Sequence, residues 1–200
     1  MIKAGIFDIG GVLLNWNNKY LFEDIDETLQ ISQSQRHNAW KENMDLLEVG
    51  KISEKEFWDG FARDAKVRQD IPQNLLSRAF EQKSFINNDV LDIAREMRKN
   101  GFKTGILSNT NTPHARFLKS LQLFEYFDVV VLSQETGHRK PEPEIYHYTL
   151  KKLNIIPSEA FFVDDLPENV EAANEIGIHG LLFKEAEKLR SAIIGLGVEL

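Results

Sequence analysis

From residue 88 to the end, short apolar runs alternate with amphipathic stretches of about ten residues, and few folds accommodate that alternation. Residues 89–99 read as a helix, with Val90, Leu91, Ile93, Ala94 and Met97 on one side and a stop signal at Asn100–Gly101. Then 103–107 reads as a strand, 114–121 as a helix, 129–132 as a strand and 143–153 as a helix. A strand at 160–163, a helix at 167–176 and a strand at 180–183 follow, and a last helix opens at Glu185. Such a series predicts right-handed βαβ crossovers and a parallel sheet. Residues 2–7 form one more apolar run, closed by Gly10–Gly11, and read as a further buried strand of that sheet. The expected class is α/β, with a Rossmann-like parallel-sheet core.

Residues from about 16 to 83 break the alternation. Apolar side chains recur there at helical spacing: Tyr20, Leu21 and Ile25; Trp40, Met44 and Leu47; Phe57, Trp58 and Phe61; Leu75, Leu76 and Phe80. Ser53 followed by Glu56 is a capping-box signature, and Pro72 suits a first helical turn. The reading is a bundle of about four helices inserted after the first strand, with the core in 1–14 and 86–200 and a small all-helical cap in 15–85.

Composition narrows the function classes. Hydrophobic residues make up 42% and charged residues 28%, and 13 Phe and 3 Trp supply a core. The absence of Cys excludes disulfides, thiolate metal sites and a cysteine nucleophile. A net charge of −7 without a Lys/Arg block argues against nucleic acid as a partner. No apolar stretch approaches the roughly 18 residues of a membrane span. The expectation is a soluble, cytoplasmic protein that binds neither membrane nor nucleic acid, as monomer or homodimer.

In open α/β sheets, ligands bind beyond the carboxyl ends of the strands. Asp8 ends the first strand, Ser108-Asn109-Thr110 another and Asp164-Asp165 a third, while His138, Arg139 and Lys140 follow 129–132. Each has a structural alternative: Asp8 as a turn opener, Asp164-Asp165 as a helix cap, 108–110 as a cap for the helix near Pro113, and Lys140 as an exposed loop lysine. Together they form a cleft of carboxylates, a hydroxyl, an amide and an ammonium. Carboxylates sharing a cleft need a cation, and oxygen ligands without thiols point to Mg²⁺. Such a site suits a phosphoryl substrate, and an Asp can attack phosphorus to form an acyl phosphate. The Gly10–Gly11 turn and the Ser108 hydroxyl could hydrogen-bond the phosphoryl oxygens. No P-loop sequence is present.

The segments Phe7-Asp8-Ile9-Gly10-Gly11-Val12-Leu13, Ile106-Leu107-Ser108-Asn109, Arg139-Lys140-Pro141-Glu142-Pro143 and Phe162-Val163-Asp164-Asp165 with Asn169 resemble the four motifs of the haloacid dehalogenase-like hydrolase superfamily. Glu48-Val49-Gly50-Lys51-Ile52-Ser53 with Phe57-Trp58 resembles the helical cap of the group that holds sugar-phosphate phosphatases and the phosphatase domain of epoxide hydrolases. The resemblance implies that Asp8 is the nucleophile and a Mg²⁺ ligand, together with Asp165, the Gly10 carbonyl and, through water, Asp164. It also implies that Ser108 and Asn109 bind the phosphoryl group, and that Lys140 holds that group and Asp8 together.

One position departs from the pattern. Family phosphatases carry a second Asp two residues after the nucleophile as general acid/base, and here that position is Gly10. General acid–base help is typically worth about 10²–10⁴-fold. A related group of sugar-phosphate phosphatases resembles this chain in carrying Gly there. The Gly-Gly turn also raises the expectation of φ > 0 at Gly10, which would resist an Asp. His37 or metal-bound water are candidate substitutes for the missing acid.

Three classes stay open: a Mg²⁺-dependent phosphomonoesterase for a small phosphorylated metabolite such as a sugar phosphate, a metal-independent haloacid dehalogenase, and a weakly catalytic binding or regulatory protein. The acid pair separates the first two, since a metal-free site gains nothing from adjacent carboxylates. Cap-side contact candidates are Asn15, Trp16, Trp40, Asn43 and Glu48, with Trp40 equally readable as a core aromatic.

Overall fold

The computed structural model describes residues 1–72 and 74–200. Strand β1 (Ala4–Phe7) leads through the short β2 (Leu14–Asn15) into four helices: α1 (Asn18–Leu29), α2 (Gln33–Glu48), α3 (Glu54–Ala65) and α4 (Leu75–Lys83). A short β3 (Phe85–Ile86) leads back to α5 (Asn88–Lys99), β4 (Lys103–Ser108), α6 (Thr112–Ser120) and β5 (Val129–Leu132). The rest is α7 (Ser133–Thr136), α8 (Pro143–Leu153), β6 (Ala160–Asp164), α9 (Pro167–Glu175), β7 (His179–Leu182) and α10 (Ala186–Gly195). Five strands form one parallel sheet in the order β5-β4-β1-β6-β7, so the α/β reading holds.

Strand β1 is buried along its whole length because both faces of the sheet are covered. Phe7 points into one layer with Ile93, Met97, Phe161, Leu189 and Ile193, and Ile6 into the other with Tyr146, Leu150, Phe162 and Ala173. This two-sided burial is why the strands read as unbroken apolar runs rather than as alternating ones.

The helical insertion carries its own apolar cluster, built from Leu21 and Ile25 of α1, Leu47 of α2, Phe57 and Phe61 of α3, and Leu75 and Leu76 of α4. Helices α2 and α3 both start with complete capping boxes, Ser32 with Gln35 and Ser53 with Glu56. Pro72 lies ahead of α4 rather than in its first turn: its carbonyl accepts the Leu75 N–H at 3.1 Å in a turn that precedes the helix.

The two chain crossings between insertion and sheet run side by side. Leu14 pairs with Ile86 and Asn15 with Phe85, antiparallel, and the Asn87 N–H donates to the Leu13 carbonyl at 2.9 Å. Strands of two residues show no periodicity, so neither was legible in the sequence, and the four-residue α7 is equally silent.

Candidate active site

The carboxyl ends of β1, β4, β5 and β6 share one edge of the sheet, and the chain leaves each through a polar loop. Asp8 follows β1 directly and stays in sheet-like geometry, its N–H donating to the Val163 carbonyl at 2.9 Å. Lys140, only 2% exposed, reaches it from the loop after α7: Nζ lies 2.7 Å from Asp8 Oδ1 and 2.5 Å from Asp164 Oδ2. The Phe162 ring lies 5.3 Å from the same ammonium.

Asn109 fixes the backbone behind that lysine. Its Oδ1 accepts the Lys140 N–H at 2.8 Å, and its Nδ2 donates to the Lys140 carbonyl at 2.9 Å. Asp164 is fully enclosed, accepting from the Leu166 N–H at 2.9 Å and from Asn169 Nδ2 at 3.1 Å. Tyr146, beneath, donates to the Asn169 carbonyl at 2.9 Å, so the orienting chain continues into the core. Asp165 instead faces solvent above Gly11. Gly11 takes φ +77°, and a Cβ there would come within 2.3 Å of Asp165 Oδ2, so only glycine fits beneath that carboxylate.

Gly10 is different from the sequence expectation. The left-handed residue of the turn is Gly11, and Gly10 is absent from the positive-φ set. A Cβ on Gly10 would touch nothing closer than Trp16 Cδ1 at 3.7 Å, so the position would hold a side chain.

The capping alternatives do not describe these residues. Helix α9 has Leu166 at its N-cap with no side-chain cap; Asp164 meets Lys140, Asn169 and the Leu166 N–H ahead of the helix rather than an N–H of its first turn. Helix α6 is capped by Asn111, which accepts the His114 N–H at 3.0 Å, leaving Ser108 free of that duty.

Oxygens of Asp8, Asp164 and Asp165 can be chosen within 4.8 Å of one another, against the single ammonium of Lys140. Burial pushes the Asp8 carboxyl up to about 7, with Lys140 pulling it back and Asp164 adding to the rise. Burial and the neighbouring Asp164 raise Asp165 as well. Burial alone would lower Lys140, but Asp8 and Asp164 together hold it above its ordinary value. The surplus of negative charge, carried by oxygen donors only, fits a hard divalent cation. Gly10 borders the same cleft and offers a main-chain carbonyl.

Asp8, Gly10, Ser108, Asn109, Lys140 and Asp165 line one cavity of about 400 Å³, closed from the helical side by Trp16, Trp40 and Glu48. Trp40 does double service, since its ring also packs edge-on against Phe22, Phe57 and Phe61. Three sequence candidates lie elsewhere. Asn15 is exposed on β2 and His37 on α2, neither of them at the cavity, and Asn43 is buried inside the bundle, donating to the Ala39 carbonyl at 2.9 Å and to Asp64 at 3.0 Å.

Two links between sheet and helices escaped sequence reading. Arg139 pairs with Asp45 and with Glu48, the latter at 2.9 Å, both on α2. His114 Nε2 lies 2.8 Å from the Leu76 carbonyl of α4, with its ring stacked on Phe80 at 4.1 Å. Neither pairing carries a local signal, because the partners are far apart in the chain.

A parallel sheet with an acid-rich cleft at its carboxyl edge, roofed by a helical insertion after β1, is the build of a hydrolase with a Rossmann-like core. The profile of the haloacid dehalogenase-like hydrolases matches residues 2–177, and the chain belongs to that family. A sesquiterpene phosphatase from Aspergillus oryzae is 30% identical over 90% of this chain and 88% of its own length. D-ribitol-5-phosphate phosphatase from Bacteroides thetaiotaomicron is 29% identical over 88% of this chain and 89% of its own. A crystal structure of a family enzyme from that organism, in complex with magnesium and inorganic phosphate, superposes with a TM-score of 0.77 at 27% identity, covering 92% of this chain and 95% of that one. The match to bifunctional epoxide hydrolase 2 of Sus scrofa spans 40% of that protein's length.

Proposed function

We propose that the chain is a Mg²⁺-dependent phosphomonoesterase for a small phosphorylated metabolite, working through an aspartyl-phosphate on Asp8. The observation that carries this reading is the buried Lys140 ammonium bridging Asp8 and Asp164, with Asp165 alongside. The similarity to two phosphatases and to a structure that holds magnesium and phosphate supports it.

Asp8, Asp165 and the Gly10 carbonyl would hold the metal directly, with Asp164 acting through water. The ion would offset the charge of the phosphoryl oxygens, so that an anionic carboxylate can approach an anionic ester. Asp8 attacks phosphorus, the bond to the leaving oxygen breaks, and that oxygen departs with the electron pair. Water then cleaves the acyl phosphate, releasing inorganic phosphate and restoring Asp8. Lys140 fixes the attacking carboxylate and balances phosphoryl charge, while the Ser108 hydroxyl and the Asn109 amide hold the transferred oxygens. Asn109 also keeps Lys140 in register through the two backbone contacts. Residues 1–14 and 86–200 would carry this chemistry and 15–85 would select the leaving group.

The adjacent carboxylates Asp164 and Asp165 favour this over metal-free dehalogenation, where they would only repel each other. A hydrolysis screen of phosphorylated metabolites and p-nitrophenyl phosphate, with Mg²⁺ and with EDTA, tests the reading. Turnover that requires Mg²⁺ supports it, and turnover of haloacids in EDTA would replace it.

A further inference from the structure

The helical roof presents a carboxylate to a cleft that is itself acidic. Glu48, the last residue of α2, lines the cavity opposite Asp8 and Lys140. A carboxylate facing an anion-binding site repels the incoming phosphate, so its placement there needs a compensating contact. Its buried Oε2 lies 2.9 Å from an Arg139 Nη atom in an ion pair, yet makes no hydrogen bond among the described residues. Arg139 is held from a second side by Asp45, and its Nε is buried with no hydrogen-bond partner among the described residues. Arg139 also directly precedes Lys140, so the Glu48 carboxylate is tied to the loop that delivers the ammonium to Asp8. The roof also brings Trp16, Leu21, Trp40 and Met44 to the cavity, together with the amide residues Asn17 and Asn18.

The geometry points to Glu48, positioned by Arg139, as the acceptor for a hydroxyl of the leaving group, so that the substrate class is phosphorylated polyols rather than alkyl or prenyl phosphates. This deepens the phosphomonoesterase reading and rests on it. A hydroxyl donating to the Glu48 carboxylate supplies the hydrogen bond that the Arg139 ion pair leaves unmade. An alkyl chain in the same place leaves a desolvated carboxylate with its ion pair but without that hydrogen bond, which is the larger penalty. Meanwhile the tryptophan faces suit the C–H side of a sugar or sugar alcohol. Glu48 would also be a latch for the roof, through Arg139, and the test has to separate the two roles.

The experiment measures kcat/KM for D-ribitol 5-phosphate and for n-pentyl phosphate, in wild type, Glu48→Gln and Glu48→Ala, with p-nitrophenyl phosphate run in parallel. The readout is the polyol-to-alkyl ratio compared between proteins, so the different acidity of the two leaving groups cancels. The expected result is a ratio that falls about 10–100-fold in Glu48→Ala, the scale of a hydrogen bond to a charged acceptor. Glu48→Gln, which keeps an amide oxygen and the side-chain shape, is expected to fall between. A purely structural latch predicts equal losses on both substrates, and an unchanged ratio in both variants overturns the assignment while hydrolysis of p-nitrophenyl phosphate leaves the phosphatase reading standing. Failure of the wild type on all three phosphomonoesters overturns both.

Discussion

His114 offers a sharp test of how the helices dock on the sheet. Burial among Trp16, Phe80 and the α4 backbone pushes its pKa from 6.5 down to about 4, with the Leu76 carbonyl opposing the shift. The neutral ring donates from Nε2 to Leu76, and Nδ1 faces the Asn111 amide nitrogen at 3.4 Å, a donor that a second ring proton would oppose. Because the folded pKa is depressed, the unfolded chain takes up the proton first as pH falls. The contribution is therefore complete above pH 6.5 and is lost progressively between 6.5 and 4. Integrating between those values gives a loss of about 2 kcal/mol from pH 7 to pH 5, approaching about 3 kcal/mol below pH 4. His114→Gln keeps a donor for Leu76 and removes the titration. Urea unfolding of both proteins at pH 7 and pH 5 should show the wild-type midpoint dropping by about 1 M more than that of the variant. The comparison cancels the opposing titration of Asp8, which is common to both. Midpoints that move in parallel would refute the buried neutral histidine.

Five further outcomes are expected. Asp8→Asn should keep the circular dichroism and melting profile but lose turnover by several orders of magnitude, and near wild-type kcat would remove Asp8 as nucleophile. Asp165→Asn should raise the Mg²⁺ concentration for half-maximal activity in a metal titration, and an unchanged value would take Asp165 out of the metal shell. Wild-type log kcat/KM should fall steeply as leaving-group pKa rises, favouring p-nitrophenyl, acyl or anomeric phosphates over glycerol phosphate. Gly10→Asp should flatten that plot by up to about 10²-fold at the basic end, since a Cβ there has room at 3.7 Å from Trp16; a flat wild-type line would mean another group already supplies the proton. Gly11→Ala should destabilise by about 1 kcal/mol or more and weaken Mg²⁺ binding, because its Cβ would strike Asp165 from a left-handed backbone; an unaltered melting temperature would contradict this.

The sheet was legible because each strand is covered on both faces and therefore spelled out as an unbroken apolar run, as 129–132 and 160–163 were. The polar termini of those runs were legible for the same reason: Asp8, Ser108 and Asp164 stand out where an apolar run stops. What stayed hidden was whatever two distant segments make together. The Leu14–Asn15 and Phe85–Ile86 pair has too few residues for a period, and the Arg139 contacts to α2 exist only once the insertion folds back over the loop. The turn at Gly10–Gly11 was recognised as a turn, yet two consecutive glycines do not say which one is left-handed. Asn43, a cap-side contact candidate by sequence, is held inside the bundle by its bonds to the Ala39 carbonyl and to Asp64 on α3, a partner distant in the chain.

The central place of β1 sets the order in which this molecule can be made. Ala4 pairs with Lys103 on one side and Ala160 on the other, so β1 finds neither neighbour until residue 103, and then residue 160, has been made. Contacts that distant in sequence fold slowly, because loop closure precedes any reward. The insertion, whose apolar cluster lies within 21–79, has no such wait. On a ribosome the helical roof can therefore assemble while Asp8 is still an unpaired side chain on an extended strand. The cleft cannot be complete before β6 and the start of α9 deliver Asp164, Asp165 and Asn169, so chemical competence comes later than the roof.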